Sequence, residues 1–210
     1  MAALTLNEAA MQTKVVPRNL RPWRRTFFYG EDDEMEFELT PFRVNEYWIR
    51  PITIADAAAF YEIVSSEAVR KTLAFEPVDI EQCERMIRVV HLSYRMKCLP
   101  QTMVIVLNDK MIGLLNVNRY EEELMELGYF LHPDYFRKGI MKQVIPKWID
   151  LLIHQFAIHR FEAYCEPWNI AGNALLTSIG FHKEGCLKQL VKGKDGSYHD
   201  MNLYAYIVEK

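Results

Sequence analysis

"ELGYFLHPDYFRKGIM", residues 126–141, starts as a strand and ends as the opening of a helix. After Gly139, Ile140, Val144, Ile145, Trp148, Leu152 and Phe156 return at helical spacing, which predicts a helix from Gly139 to about Gln155. "HRFEAYCE", residues 159–166, then reads as a second strand. Strand, helix, strand at this spacing is a right-handed parallel crossover, and such units hold ligands beyond the carboxyl ends of their strands. Gly139 falls at that end. The first turn of a helix carries unpaired N–H groups and the positive end of the dipole, so it can hold a phosphate without further chemistry. Arg137 and Lys138 would add cations at the rim. Two readings of R-K-G stand side by side: a pyrophosphate cradle, or a plain capped turn.

Working outward, "EYWIRPIT" predicts a strand, and Thr53 with Asp56 three residues on forms a capping box opening the helix "IADAAAFYEIVSS". Asp79 can cap a second helix, in which Cys83, Met86, Ile87, Val90 and Tyr94 share a face. "QTMVIVL", "MIGLLNVNRY" and "LMELGYFLH" follow as a three-stranded meander, turning at residues 108–110 and 121–123. Pro146 removes a backbone donor and is expected to kink the later helix or split it in two. Asn169 stands where it would cap a helix ending before Gly180. "LKQLVKG" and "SYHDMNLYAYIV" close as a hairpin across Lys194, Asp195 and Gly196. A mixed sheet with helices packed on it is the compact solution.

The chain has 210 residues, half of them hydrophobic, which fits one domain plus an extension. A formal charge of −3 argues against a surface built throughout for nucleic acid. Cys83, Cys98, Cys165 and Cys186 are scattered, with no metal-ligand spacing, and read as reduced thiols. No apolar run reaches the roughly 20 residues that a bilayer span needs, so no membrane contact and a cytoplasmic address are expected. Residues 1–41 stand apart as an N-terminal extension, and 42–210 as the domain. Within the extension, "KVVPRNLRPWRRTFFY", residues 14–29, reads either as an RNA- or ribosome-docking arm or as a tail lying on its acidic neighbours.

Taken together, "ELGYFLHPDYFRKGIM", "EPWNIAGNALLTSIGF" and the G-S-Y-H-D of the last hairpin resemble the GCN5-related N-acetyltransferase (GNAT) superfamily. Within it, they resemble the branch of ribosomal-protein N-terminal acetyltransferases of the Rim type. The resemblance covers about residues 42–207 in consistent order. It implies an α/β (α+β) fold: a mixed, mostly antiparallel sheet of six to seven strands, helices on both faces, and a splayed central parallel pair. It also implies acetyl-CoA as acetyl donor, no metal, and a primary amine as acceptor, with the α-amine of a protein or peptide such as a ribosomal protein as the first expectation. A polyamine or antibiotic acetyltransferase and a non-catalytic acyl-CoA-binding module are the rival readings. Monomer and homodimer both stay open.

The same resemblance places the pyrophosphate loop at Phe136 to Met141. Of the side-chain signature only Gly139 is retained, but the backbone donors of Lys138, Gly139, Ile140 and Met141 need no particular side chain. Phe130 and Leu131 would offer amides to the pantetheine arm and thioester carbonyl, with Asn169 and Asn173 near that arm; Asn169 reads equally as a helix cap. Glu126 is the first candidate for the general base and Glu162 the second, against the reading of glutamates on a solvated strand face. Many superfamily members have a tyrosine acid where this chain has Leu176, and the Rim-type branch often has a serine where it has Gly172. Tyr164, Tyr129 or Tyr198 could deputise. His199 and Asp200 either line the acceptor site or hold the strand edge. Glu121 to Glu123 form an acidic turn that either draws cationic substrates or is solvated.

Overall fold

The computed structural model describes residues 39–73, 79–99, 101–193 and 196–209. The basic-aromatic stretch 14–29, and the tip of the last hairpin at Lys194 and Asp195, lie outside the described residues. Eight strands form one sheet in the order β1-β2-β3-β4-β5-β6-β8-β7. They are β1 (Phe42–Val44), β2 (Tyr47–Pro51), β3 (Gln101–Leu107), β4 (Lys110–Glu121), β5 (Leu124–Leu131), β6 (Arg160–Cys165), β7 (His182–Lys192) and β8 (Tyr198–Ile207). Every neighbouring pair is antiparallel except β5 and β6. The sheet exceeds the expected six to seven strands because β1, three residues folded back on β2, is too short to show a period. β7 also begins at His182, ahead of the expected Leu187.

The helices are α1 (Ala57–Ser65), α2 (Glu67–Arg70), α3 (Ile80–Arg95), α4 (Ile140–Phe156) and α5 (Ile170–Ser178). Local chemistry starts them where the sequence indicates. Asp56 accepts from the Thr53 amide at 2.7 Å, and the Asp79 side chain accepts from the Gln82 amide at 2.7 Å. Asn169 caps α5 by accepting from the Gly172 amide at 3.0 Å, and Gly180 follows it with a left-handed φ of 93°. The first turn of the meander is tight because Asn108 and Asp109 both take positive φ, 49° and 61°, as hairpin twist requires. Pro146 does not split α4. The helix runs unbroken from Ile140 to Phe156. The bond Pro146 cannot make belongs to the carbonyl of Lys142, an exposed residue, while Val144, Ile145, Trp148, Ile149 and Leu152 clamp the helix to the core.

Strand alternation gives the sheet two unlike faces. On one, Met103, Ile105, Leu115, Val117, Met125, Leu127, Phe161 and Ala163 pack under α4, with Leu176 of α5 in the same cluster. On the other, Val104, Val106, Leu114 and Phe130 pack under α1 and α3. That second cover stops short. Continuing the alternation, Glu126, Glu162 and Tyr164 stand on the α1/α3 face beyond its apolar cluster. Among the described residues no helix is long and apolar enough to cross a membrane, and no group of three or more His, Cys, Asp and Glu side chains is arranged to hold a metal.

Candidate active site

β5 and β6 pair only over Leu124↔Arg160, Met125↔Phe161 and Glu126↔Glu162. β5 runs on to Leu131 and β6 to Cys165 without pairing, so the strands part just after the two glutamates. The side of β5 facing the gap offers main-chain groups to any ligand that lies there as a substitute strand. The His132 amide donates to Ile112 on β4 at 2.7 Å, and in an antiparallel ladder every second residue shares that direction. Phe130, paired with Leu114, therefore turns its amide to β4. Leu131 and Tyr129 turn theirs to the gap. Of the two expected amides, that of Leu131 faces the gap and that of Phe130 faces β4; the Tyr129 amide also faces the gap, a direction that side-chain letters do not reveal.

At the far end of the gap lies the loop before α4. Gly139 is left-handed at φ 73°, and so is Arg137 at 60°. The first helical bond runs from the Gln143 amide to the Gly139 carbonyl, and among the described residues no backbone carbonyl accepts from the amides of Lys138, Gly139, Ile140 or Met141. A Cβ built on Gly139 would meet only Gln143 Nε2, at 4.0 Å. The space beside Gly139 is thus clear, and the donor set suits a diphosphate. Arg137 and Lys138 are exposed at its rim, with Lys138 Nζ resting 4.9 Å from the centre of the Tyr135 ring.

The two glutamates share a rung but not an environment. Glu162 is 7% exposed, and its oxygens take Arg119 at 2.5 Å and Arg160 Nε at 2.9 Å. Among the described residues, Glu126 has only the Asn118 amide at 3.1 Å and Arg119 Nε at 3.9 Å, a nitrogen with no hydrogen-bond acceptor there. Burial raises the Glu126 pKa; the bond from Asn118 and the charge of Arg119 pull it back, while Glu162 pushes it up. The Tyr164 hydroxyl lies 3.4 Å from Glu162, and burial, then the Glu162 charge, raise its pKa. Arg119 went unnoticed in the sequence. It reaches this face because β4 bulges between Val117 and Arg119, and no glycine marks the bulge.

The remaining candidates separate into supports and bystanders. The Asn173 amide donates to the carbonyls of Glu166 and Asn169 at 2.9 and 2.7 Å, and its oxygen accepts from Asn202 and Tyr204 at 2.8 and 2.9 Å. It ties α5 to β8 with its hydrogen-bonding groups engaged inside the protein. Leu176 is 1% exposed, a core residue. A side chain at Gly172 would place its Cβ 2.8 Å from Cys165 Sγ and from Asn169 Nδ2, so glycine there fits a buried cysteine on β6. The four cysteines are free, and burial raises Cys83 to about 12 and Cys165 to about 11. His199 pairs with Glu166 at 2.6 Å, and Asp200 holds Lys188 and the Gln189 amide at 2.7 and 2.9 Å, which secures the last hairpin. Tyr198 is 59% exposed beside Lys192.

The family model for the acetyltransferase (GNAT) domain matches residues 47–182, from β2 to the start of β7. The chain belongs to the GNAT family. Like other GNAT proteins it is an acyltransferase, an acetyl-CoA-dependent N-acetyltransferase. Among curated GNAT relatives, the uncharacterized N-acetyltransferase p20 of Bacillus licheniformis is 28% identical over 163 residues, 76% of this chain and 91% of that one. The ribosomal-protein-serine acetyltransferase of Escherichia coli (strain K12) is 36% identical over 107 residues, 48% of this chain and 57% of that one. Among solved structures, the GNAT fold is shared with RimL, a ribosomal L7/L12 alpha-N-protein acetyltransferase in complex with coenzyme A. Its TM-score is 0.73 at 24% identity, over 80% of this chain and 98% of that one.

Proposed function

We propose that the protein transfers the acetyl group of acetyl-CoA directly to the α-amine of a protein or peptide, of the kind that ribosomal-protein acetyltransferases modify. The observation that carries this reading is the inequality of the two glutamates at the parting of β5 and β6. Glu162 is matched by two guanidinium groups and has a structural role. Glu126, half-buried and less well matched, is the base. The diphosphate rests on the amides of Lys138 to Met141, and the pantetheine arm lies along β5, with the Tyr129 and Leu131 amides directed at it. The acceptor nitrogen attacks the thioester carbonyl carbon, the C–S bond breaks, and the surplus proton on nitrogen passes through water to Glu126. The CoA thiolate leaves and is reprotonated from solvent, its pKa near 8.5 making a dedicated acid dispensable.

The choice of an α-amine follows from that weak base. An α-amine with a reference pKa near 8 needs about two units, or roughly 3 kcal/mol, less help at neutral pH than a lysine near 10.4. The relationship to a ribosomal-protein-serine acetyltransferase supports the same class. The test is incubation with acetyl-CoA and a panel of N-terminal peptides, lysine peptides, polyamines and aminoglycosides, read by mass spectrometry. Acetylation confined to α-amines is expected; turnover of only polyamines or aminoglycosides would transfer the reading to small molecules. Release of no CoA thiol with any acceptor would favour the binding-module reading, for which the buried Leu176 is the supporting feature.

A further inference from the structure

A line of side-chain hydrogen bonds crosses the α1/α3 face toward Glu126. Thr102 Oγ1 on β3 bonds Asn116 Oδ1 at 2.7 Å, Asn116 Nδ2 bonds Asn118 Oδ1 at 2.5 Å, and Asn118 Nδ2 bonds Glu126 Oε1 at 3.1 Å. The direction of the line is dictated from its end. An ionised carboxylate only accepts, so Asn118 must present its NH2 group to Glu126 and its oxygen to Asn116. Asn116 must then present its own NH2 group to Asn118 and its oxygen to Thr102, whose hydroxyl is left to donate. Reversing any amide would set oxygen against oxygen somewhere along the chain. We infer that Thr102, Asn116 and Asn118 are positioning residues, a one-way chain of donors that holds the Glu126 carboxylate in the orientation its role as base requires. The inference rests on the assignment of Glu126 as that base.

Two features of the backbone serve this line. In a regular strand, Asn118 and Arg119 would point to opposite faces; the bulge after Val117 lets Asn118 bond Glu126 while its neighbour Arg119 bonds Glu162. Gly128 lies across from Asn116 in register, and a Cβ there would come within 2.9 Å of Asn118 Nδ2. Glycine keeps open the space that the amide occupies. The charged and titratable groups facing Glu126 are Arg119 from β4 and Glu162 and Tyr164 from β6. None of them bonds Glu126 Oε1; among the described residues the partner at that oxygen is Asn118.

The experiment is the pH profile of kcat/KM with an N-terminal peptide acceptor, for the wild type and for Asn118→Leu, Thr102→Val, Gly128→Ala and Glu126→Gln. The acceptor's own titration is common to all, so differences report the enzyme. Losing a donor to the carboxylate should move the acidic limb of Asn118→Leu upward by about one pH unit, with a rate deficit that grows as pH falls. Thr102→Val, nearly isosteric and remote from substrate, should shift the limb the same way by less. Gly128→Ala should behave like Asn118→Leu, since the atom it displaces is the end of a flexible side chain. The KM for acetyl-CoA should stay at its wild-type value in Thr102→Val, which separates this effect from damage to the cofactor site. Limbs unmoved in both Asn118→Leu and Thr102→Val, while Glu126→Gln abolishes the limb, would overturn the inference and leave the base in place. A limb that persists in Glu126→Gln would instead overturn the assignment of the base, and the relay with it.

Discussion

The two faces of the sheet are built from the same strands, residue by residue, yet they do opposite things. The α4 face is apolar at its centre: Met103, Leu115, Val117, Met125, Leu127 and Phe161, each at most 3% exposed, close against Val144, Trp148 and Leu152. The α1/α3 face is apolar only as far as Phe130, which stacks on Phe60 at 6.2 Å. Beyond it lie Asn116, Asn118, Arg119, Glu126, Glu162 and Tyr164, joined by hydrogen bonds and ion pairs. Close packing of one face permits the other to hold a half-buried carboxylate whose pKa is raised. Stability is concentrated on one side and chemistry on the other.

That division predicts two substitutions with large but exchanged consequences. Trp148→Ala leaves a cavity in the closed face and should lower the unfolding free energy by about 3 to 5 kcal/mol, read by urea denaturation. The folded fraction should retain the wild-type KM for acetyl-CoA. Glu126→Gln should lower kcat by about 10²- to 10⁴-fold. Its stability at neutral pH should equal or slightly exceed that of the wild type. The sign follows from linkage: a carboxyl whose folded pKa is raised costs stability as pH climbs through that value, and an amide has no such cost. A Glu126→Gln protein that melts early would break the comparison, because the polar face would then be structural as well.

The helix side of the polar face gives a prediction of intermediate size. Asp56, 5% exposed, takes both guanidinium nitrogens of Arg50 at 2.7 and 2.8 Å and the Thr53 amide. Burial alone would raise its pKa, but the bonds from Arg50 and Thr53 outweigh burial and hold it below 3.8. A depressed carboxyl stabilises the fold above its unfolded pKa, and that contribution is lost as pH falls through the folded value. Asp56→Asn should therefore cost about 3 kcal/mol at pH 7 and progressively less below pH 4, measured by denaturation at several pH values. A cost independent of pH would mean that the cap, and not the charge, matters at this helix start.

Local rules made much of this legible in advance. The meander turns, the caps at Asp79 and Asn169, and the glycine opening α4 each depend on residues adjacent in sequence, and each formed where those residues stand. What the sequence withheld depends on distant pairing. That Glu126 and Glu162 share a rung is a register between strands 36 positions apart, with a helix between them. The bulge that brings Asn118 and Arg119 to one face has no glycine to mark it, and which way the amides of Phe130 and Tyr129 face concerns backbone direction alone. Pro146 leaves the helix unbroken for a related reason: the helix interior penalises proline locally, but tertiary packing of five apolar neighbours overrides the local cost.

α4 belongs to both halves of the comparison, since its body closes the apolar face while its first residue opens the cofactor loop. Gly139→Ala isolates the second half. At φ 73° a side chain is strained, and because the added Cβ meets nothing nearer than 4.0 Å, the strain is the whole of the folding penalty, about 1 kcal/mol. If the amides of Lys138 to Met141 receive a diphosphate, the same methyl group lies in its path. Acetyl-CoA affinity should then fall about tenfold while kcat at saturation changes little. Calorimetric titration of coenzyme A against both proteins reads the affinity and a thermal melt reads the strain. Equal affinities with a lowered melt would make Gly139 a helix cap and nothing more, and the loop from Arg137 would lose its claim on the cofactor.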